Sequence, residues 1–167
     1  MPRLSLETLG ILILAACGNT TGLGPPSPLD VVAGYSGVPT MDPGQDCLAC
    51  HSMGARASYR PFTLAGTVFG SPGDLPDAGV SGAQVLVVDG NGKALTLTSN
   101  AAGNFYTEEA LQFPLQSLEI QKGAARMAMN LSPSLVPPAI NSCNLCHNQP
   151  PVFASPGRLF VPGQAQP

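Results

Sequence analysis

Cys47-Leu48-Ala49-Cys50-His51 and Cys143-Asn144-Leu145-Cys146-His147 each read C-x-x-C-H. That is the attachment signature of a c-type haem. The chemistry explains the spacing. Two thiols add to the two vinyl groups on one edge of a haem, and two intervening residues let both sulfurs reach that edge. The histidine that follows is held under the iron as proximal ligand. The pair of motifs uses both histidines of the chain and all but one of its five cysteines. The expectation is two covalently bound c-type haems, attached through Cys47, Cys50, Cys143 and Cys146, with His51 and His147 as proximal ligands.

Two other chemistries use the same cysteines. Two C-x-x-C pairs can close one four-cysteine zinc site, and four cysteines in an exported chain can form two disulfides. Neither gives a reason for histidine after the second cysteine both times. A bridge across two residues also closes a strained, reducible loop.

A haem iron needs a distal ligand or an open position. With both histidines proximal, bis-histidine ligation within one protomer is excluded. Methionine is the next candidate. Met127 and Met129 are two residues apart on one expected strand and so share a face. They are the preferred distal ligands, with Met41 just before the first motif as a weaker candidate. Met53 is too close in sequence to its own motif to reach the far side. The competing reading of the Met127 and Met129 pair is ordinary core filling. Methionine ligation would raise the potential relative to bis-histidine, whereas an open site would allow small-ligand or peroxide chemistry. Arg56 and Arg60 follow the first motif and are either partners for haem propionates or solvated surface charges.

The segments around these motifs are legible from composition. Residues 9–16 form an apolar run after Arg3, too short to span a bilayer, and read as the core of a signal peptide at 1–16. The run ends Leu14-Ala15-Ala16-Cys17-Gly18, which resembles the lipobox of bacterial lipoproteins. The resemblance implies lipid on Cys17, which becomes the mature N-terminus. It also accounts for the odd fifth cysteine, and export suits haem attachment, which takes place outside the cytoplasmic membrane. Residues 17–40 are rich in Gly, Pro, Ser and Thr and read as a tether, with a fixed strand at 29–32 as the alternative. Residues 41–61 carry the first haem-binding segment, in which Asp46 is placed to cap a short helix. Residues 131–167 carry the second segment and a Pro/Gly-rich tail, expected to wrap the second haem through Phe153, Leu159, Phe160 and Val161.

Between them, residues 62–130 read as strands divided by turns: 62–69, 83–89, 94–100, 104–109, 115–121 and 125–130. Phe62, Leu64, Gly66 and Val68 alternate onto one face, as do Leu95 with Leu97 and Leu118 with Ile120. Asp89-Gly90-Asn91-Gly92 is a hairpin turn, Ala102-Gly103-Asn104 is the next, and Asp74 and Asp77 read as turn residues. Short strands at this spacing predict a mostly β fold, a small β-sandwich flanked by two irregular or short-helical CxxCH segments. If the strands alternate in direction, the first begins and the last ends at one end of the fold, and the two motifs lie together there.

The segments Ala65-Gly66-Thr67-Val68-Phe69, Gly79-Val80-Ser81-Gly82-Ala83-Gln84-Val85-Leu86-Val87-Val88-Asp89 and Ser99-Asn100-Ala101-Ala102-Gly103-Asn104-Phe105 resemble the carboxypeptidase regulatory-like, or transthyretin-like, domain. That family carries a G-x-V strand, a G-A-x-V strand and a [ST]-D-x-x-G-x-F turn and strand. Asn100 stands where the family usually has aspartate. The resemblance implies an Ig/transthyretin-like sandwich and brings no catalytic residues. With haem motifs on both sides, the layout resembles small exported multihaem cytochromes that embed such a sandwich.

Composition narrows the function classes. Charged residues are 10% of the chain and the formal net charge is -3. No basic patch serves nucleic acid. Gly 19 and Pro 18 favour turns over long helices. With no tryptophan and few aromatic residues the protein core is light. No paired acid–base groups, catalytic serine motif or phosphate loop stand out, so an enzyme is not expected. The expected function is electron transfer by a membrane-anchored dihaem c-type cytochrome. It would be extracytoplasmic, lipid-anchored to the inner or outer bacterial membrane, with other extracytoplasmic redox proteins as partners. The missing third histidine is compatible with a homo- or hetero-oligomer in which a neighbour completes the ligands. The alternatives are a haem sensor or peroxidase-like protein with an open axial site, and a non-redox surface lipoprotein with a structural four-cysteine zinc site.

Overall fold

The computed structural model describes residues 41–131, 141–151 and 155–163. The signal peptide, Cys17 and the tether lie outside the described residues, as do Phe153, residues 132–140 and the last four residues. The described chain is mostly strand with little helix. Its elements are a 3₁₀ turn at Cys47–Ala49, β1 (Leu64–Thr67), β2 (Gln84–Val88), β3 (Ala94–Thr98), β4 (Asn104–Thr107), β5 (Ser117–Lys122), β6 (Ala125–Ala128) and a one-turn helix α1 (Cys143–Cys146). The strands form two antiparallel sheets, β1-β4 and β3-β2-β5-β6.

Alternation explains the larger sheet. In β2, Val85 and Val87 are buried while Leu86 and Val88 are half-buried; in β5, Leu118 and Ile120 are buried. β3 lies at the edge with its threonines outward and Leu95 and Leu97 half-buried. The inward residues of β2 and β5 join Leu64 of β1 and Phe105 of β4 in one hydrophobic cluster, so the two sheets share a core.

The turns are set by short polar side chains. Asp89 Oδ1 accepts from the backbone N–H of Asn91 (2.9 Å) and Lys93 (2.8 Å), and its Oδ2 accepts from Gln112 N–H (3.0 Å). At the next turn Asn100 Oδ1 accepts from Ala102 N–H (2.9 Å) and Asn104 N–H (3.1 Å), ahead of Gly103 at φ 79°. A neutral amide oxygen therefore holds this turn. Asp74 also acts as a turn residue, accepting from Gly70 N–H and Ser71 N–H at 2.9 Å each.

The Gln112 N–H bond, followed by those from Lys93 and Asn91, holds the Asp89 carboxyl below its ordinary 3.8 against the opposing effect of burial. A depressed carboxylate stabilises the fold above its unfolded pKa, and that stability is lost as pH falls through the lower folded value. Asp89→Asn is accordingly expected to lower the urea midpoint at neutral pH and to flatten the further loss below pH 3.8. Parallel acid limbs for the two proteins would refute the assignment.

β1 is buried at all four positions, more than the alternation of its sequence predicts. One edge pairs with β4, from Leu64↔Thr107 to Thr67↔Asn104. The other edge is closed by the C-terminal segments. Ala65 N–H donates to Asn141 O (3.1 Å), Thr67 N–H to Asn144 Oδ1 (3.0 Å) and Phe69 N–H to Leu159 O (2.7 Å). The tail differs from expectation here: Leu159 and Val161 are core residues, and Phe160 bridges to Phe69 in parallel. The tail supplies apolar bulk that the strands lack.

Candidate functional site: two docked C-x-x-C-H segments

Both motifs wind into one helical turn. In each, the histidine N–H bonds the carbonyl of the first cysteine, His51 to Cys47 and His147 to Cys143, at 2.9 Å. Asp46 caps the first turn by accepting from Leu48 N–H at 3.1 Å, as its position before the motif predicts. Ser142, at the corresponding place before α1, makes no cap bond to its own helix. Its hydroxyl donates to Asp46 Oδ1 at 2.5 Å instead. The residues that precede the two motifs thus bind each other.

Asn144 fastens the arrangement. It is fully buried. Its Oδ1 accepts from Thr67 N–H, and its Nδ2 donates to Gln45 O (2.8 Å) and Thr67 Oγ1 (2.9 Å) and lies 3.8 Å from Cys47 Sγ. Thr67 Oγ1 accepts from Gly44 N–H (2.9 Å) and donates to Asn104 Oδ1 (2.6 Å), and Asn104 Nδ2 donates to Met41 O (2.9 Å). The motifs lie together, but the cause differs from the expected parity of strand ends. The second segment runs alongside β1 in parallel, Ala65 opposite Ser142, and meets the first across it. Asn144 was missed because it occupies a free position of the motif, where a polar residue reads as surface. Nothing local in the sequence marks it.

The histidines share one hydrogen-bonding plan. His51 Nδ1 lies 3.0 Å from Arg60 O and His147 Nδ1 lies 3.0 Å from Gly157 O. A carbonyl accepts only, so Nδ1 carries the proton and Nε2 keeps its lone pair. Burial lowers the pKa of both, opposed in each by the carbonyl bond, so the neutral form that ligates metal is favoured. Their surroundings differ. His51 is half-buried and stacks on Phe62 (4.0 Å, 11°), which stacks on Tyr106 (4.4 Å, 14°). His147 is 7% exposed, and its Nε2 is buried without a hydrogen-bond partner. Gly157, at φ 102°, brings its carbonyl to His147 in a conformation that side-chain-bearing residues rarely adopt.

Cys47, Cys143 and Cys146 are free thiols, while Cys50 is disulfide-bonded. A thioether at Cys50 therefore requires that bond to be reduced first. Burial, reinforced by the Asp46 carboxylate, pushes the Cys47 thiol up to about 12. Burial, with Cys47 and Cys146 nearby, pushes Cys143 up to about 12 as well. These are environments for neutral sulfur. Among the described residues no group of three or more His, Cys, Asp or Glu is gathered to hold a metal ion.

The remaining candidates fall as follows. Met127 sits half-buried opposite Ile120 on β6, and Met129 packs against the hydrophobic cluster, a position that core filling explains. Met41 is half-buried beside Asn104, and Met53 is 88% exposed. Arg60 Nε pairs with Glu108 at 2.8 Å on the surface. No helix among the described residues is long and apolar enough to cross a membrane.

The residues present fit a covalently attached haem at each motif. The fit rests on the Nδ1-anchored histidines, and above all on the orphaned, buried Nε2 of His147, which an iron atom would satisfy. No family model, no curated protein and no solved structure matches the chain.

Proposed function

We propose that the chain is an exported dihaem c-type cytochrome acting in extracytoplasmic electron transfer, anchored to a bacterial membrane by lipid on Cys17. Its two-sheet body would be a small Ig/transthyretin-like β-sandwich that serves as scaffold. The observation that carries the reading is the repeated histidine arrangement: in both motifs Nδ1 is tied to a backbone carbonyl, and in the second Nε2 is buried with nothing to bond. When bound, each haem supplies a ferric/ferrous couple, and attachment points in mutual contact suit a pair that exchanges electrons. The chain's own part is to fix each imidazole tautomer and ring orientation. The carbonyls of Arg60 and Gly157 do the first, and the Phe62 stack does the second at His51. Other extracytoplasmic redox proteins are the partners this reading implies.

Expression with a c-type haem maturation system tests it. The mature protein is expected to be red and to carry two covalent haems by intact mass. Cys47→Ala with Cys50→Ala, and Cys143→Ala with Cys146→Ala, should each leave one. A colourless product, or one that binds zinc through its cysteines, would overturn the proposal.

A second reading has an observation in its favour. Met129 packs against the hydrophobic cluster, which favours the core-filling role for one of the preferred distal ligands. An iron left five-coordinate would bind carbon monoxide, as a sensor or peroxidase-like protein does. Carbon monoxide addition to the reduced two-haem protein separates the readings: no spectral change supports the electron carrier, and a rapid change supports the open site.

A further inference from the structure

Arg60 and Phe62 hold His51 from its own segment. Arg60 O accepts from Nδ1 at 3.0 Å, and Phe62 N–H donates to His51 O at 2.8 Å. The Phe62 ring also lies flat on the imidazole, with centroids 4.0 Å apart and planes 11° from parallel. Phe62 is 5% exposed, yet it stands outside the hydrophobic cluster that the two sheets share. Its second ring neighbour is Tyr106 of β4, at 4.4 Å and 14°. Two rings nearly parallel to Phe62 at these distances would collide on one face, so they lie on opposite faces. Beyond them the Arg60 guanidinium stands 5.2 Å from the Tyr106 centroid, with Nη2 3.4 Å from the phenol oxygen. Glu108 Oε1 holds Arg60 Nε at 2.8 Å. Arg60 thus grips both ends of the stack, His51 through its backbone and Tyr106 through its side chain.

A stack of this kind transmits orientation. The torsion that turns an imidazole or a phenyl ring about its Cβ–Cγ bond is broad on its own. A ring packed flat against a neighbour loses that freedom. The Arg60 carbonyl fixes where Nδ1 points, and Phe62 fixes the plane. The Phe62 torsion is just as broad, so its plane has to come from the next ring. Tyr106 can supply it because its backbone is fixed: β4 pairs with β1 at Ala65↔Tyr106, and Thr63 N–H donates to Thr107 O at 2.7 Å. The second motif has no counterpart. Among the described residues no ring stacks on His147, which is held by burial and by the Gly157 carbonyl.

We infer that Tyr106 is a positioning residue for the first haem site: through Phe62 it sets the plane of the His51 imidazole, so the sheet body and not the motif alone orients that ligand. This rests on the dihaem reading above. The plane of an axial imidazole decides how the unpaired spin of ferric iron spreads over the porphyrin, and it contributes to the potential. A ligand held in one plane through both oxidation states also keeps reorganisation small, which suits a site that only passes electrons. The Arg60–Glu108 pair, with side chains 36% and 46% exposed, closes the outer end of the stack. Its contribution is the smaller one, because water screens it.

Proton NMR of two forms of the protein tests the inference. In the apoprotein the carbon-bound ring protons of His51 face the Phe62 ring and should resonate upfield of free histidine. Tyr106→Leu should move them back toward the free position, and Tyr106→Phe should leave them in place. In the mature ferric protein the shifted haem-methyl protons report the imidazole plane, and those of the first haem are assigned with the Cys143→Ala, Cys146→Ala form. Tyr106→Leu should change the order or spread of these signals and leave those of the second haem unmoved. Tyr106→Phe, which keeps the ring, should reproduce the wild-type pattern. A purely structural role for Tyr106 would lower the unfolding midpoint and move neither set of signals. A folded Tyr106→Leu protein with wild-type signals, or a Tyr106→Phe protein that matches the leucine form, would overturn it. If Tyr106→Leu does not fold, Arg60→Met decides the matter. It keeps the backbone carbonyl on His51 and uncovers the outer end of the stack, so a smaller change in the same signals is expected, and no change would overturn it. Failure of the dihaem reading has a different signature: no covalent haem, with the apoprotein shifts still following the Tyr106 ring.

Discussion

Asn144→Ala is expected to destabilise the apoprotein by about 3 kcal/mol, on the scale of ~1–3 kcal/mol for each buried polar group left without a partner. The substitution leaves Thr67 N–H without its acceptor and Gln45 O and Thr67 Oγ1 without the amide donor. Thr67 is fully buried and flanked by β4 on its other side, so water is poorly placed to replace what is lost. The consequence extends beyond stability. Gln45 and Cys47 belong to the first motif segment and Asn144 to the second, so the change should loosen a segment far away in sequence. Cys47, half-buried in the native protein, should alkylate faster in the variant. Asn144→Asp is a sharper probe. It keeps the acceptor for Thr67 N–H but places a carboxylate oxygen where a donor faces Gln45 O. It should therefore be no more stable than the alanine form despite its near-identical shape. Urea midpoints and the alkylation rate of Cys47 check both statements. A wild-type rate in a variant of wild-type stability would show that the motifs do not depend on this side chain.

The two C-x-x-C-H segments were legible because their chemistry requires fixed residue types at fixed spacing. Their mutual docking was not, because it rests on residues that the motif leaves free. Asp46 was readable as a cap, but its second role, receiving the Ser142 hydroxyl, needs a partner that is distant in sequence. The same division runs through the fold. β2 with β3 and β5 with β6 are neighbours joined by short turns whose Gly, Asn and Asp residues announce them. The β1–β4 pair joins segments separated by two intervening strands, and alternation within a strand says nothing about which distant edge it meets. β1 shows the limit most clearly. Leu64, Gly66 and Val68 read as one buried face, yet Ala65 and Thr67 are equally buried because the second motif segment covers that side. The tail misled for a related reason. Leu159 and Val161 were recognised as its apolar anchors, but the surface awaiting them was the core between the sheets.

Gly66 carries the other large expected effect, and it does so through space rather than backbone conformation. It lies in β1 opposite Phe105. A Cβ there would sit 2.8 Å from Cys143 Cβ and 2.8 Å and 3.0 Å from two carbons of the Phe105 ring. Neither neighbour yields easily. Phe105 is 1% exposed within the hydrophobic cluster, and Cys143 opens α1, whose position is fixed by Asn141, Ser142 and Asn144. Overpacking of this kind costs about 1–3 kcal/mol, so Gly66→Ala should lower the unfolding midpoint measurably and Gly66→Val more so. Which neighbour moves decides the functional outcome. If Cys143 is displaced, attachment at the second motif fails while the first still loads, and peptide mass mapping should find haem on Cys47 and Cys50 only. Adding Phe105→Leu removes the ring and one of the two collisions. It should restore part of the lost attachment even though it removes core volume and would on its own destabilise the protein. A Gly66→Ala protein with wild-type stability and two attached haems would mean that α1 is free to shift on β1, and the docked arrangement of the two motifs would then not be what positions them.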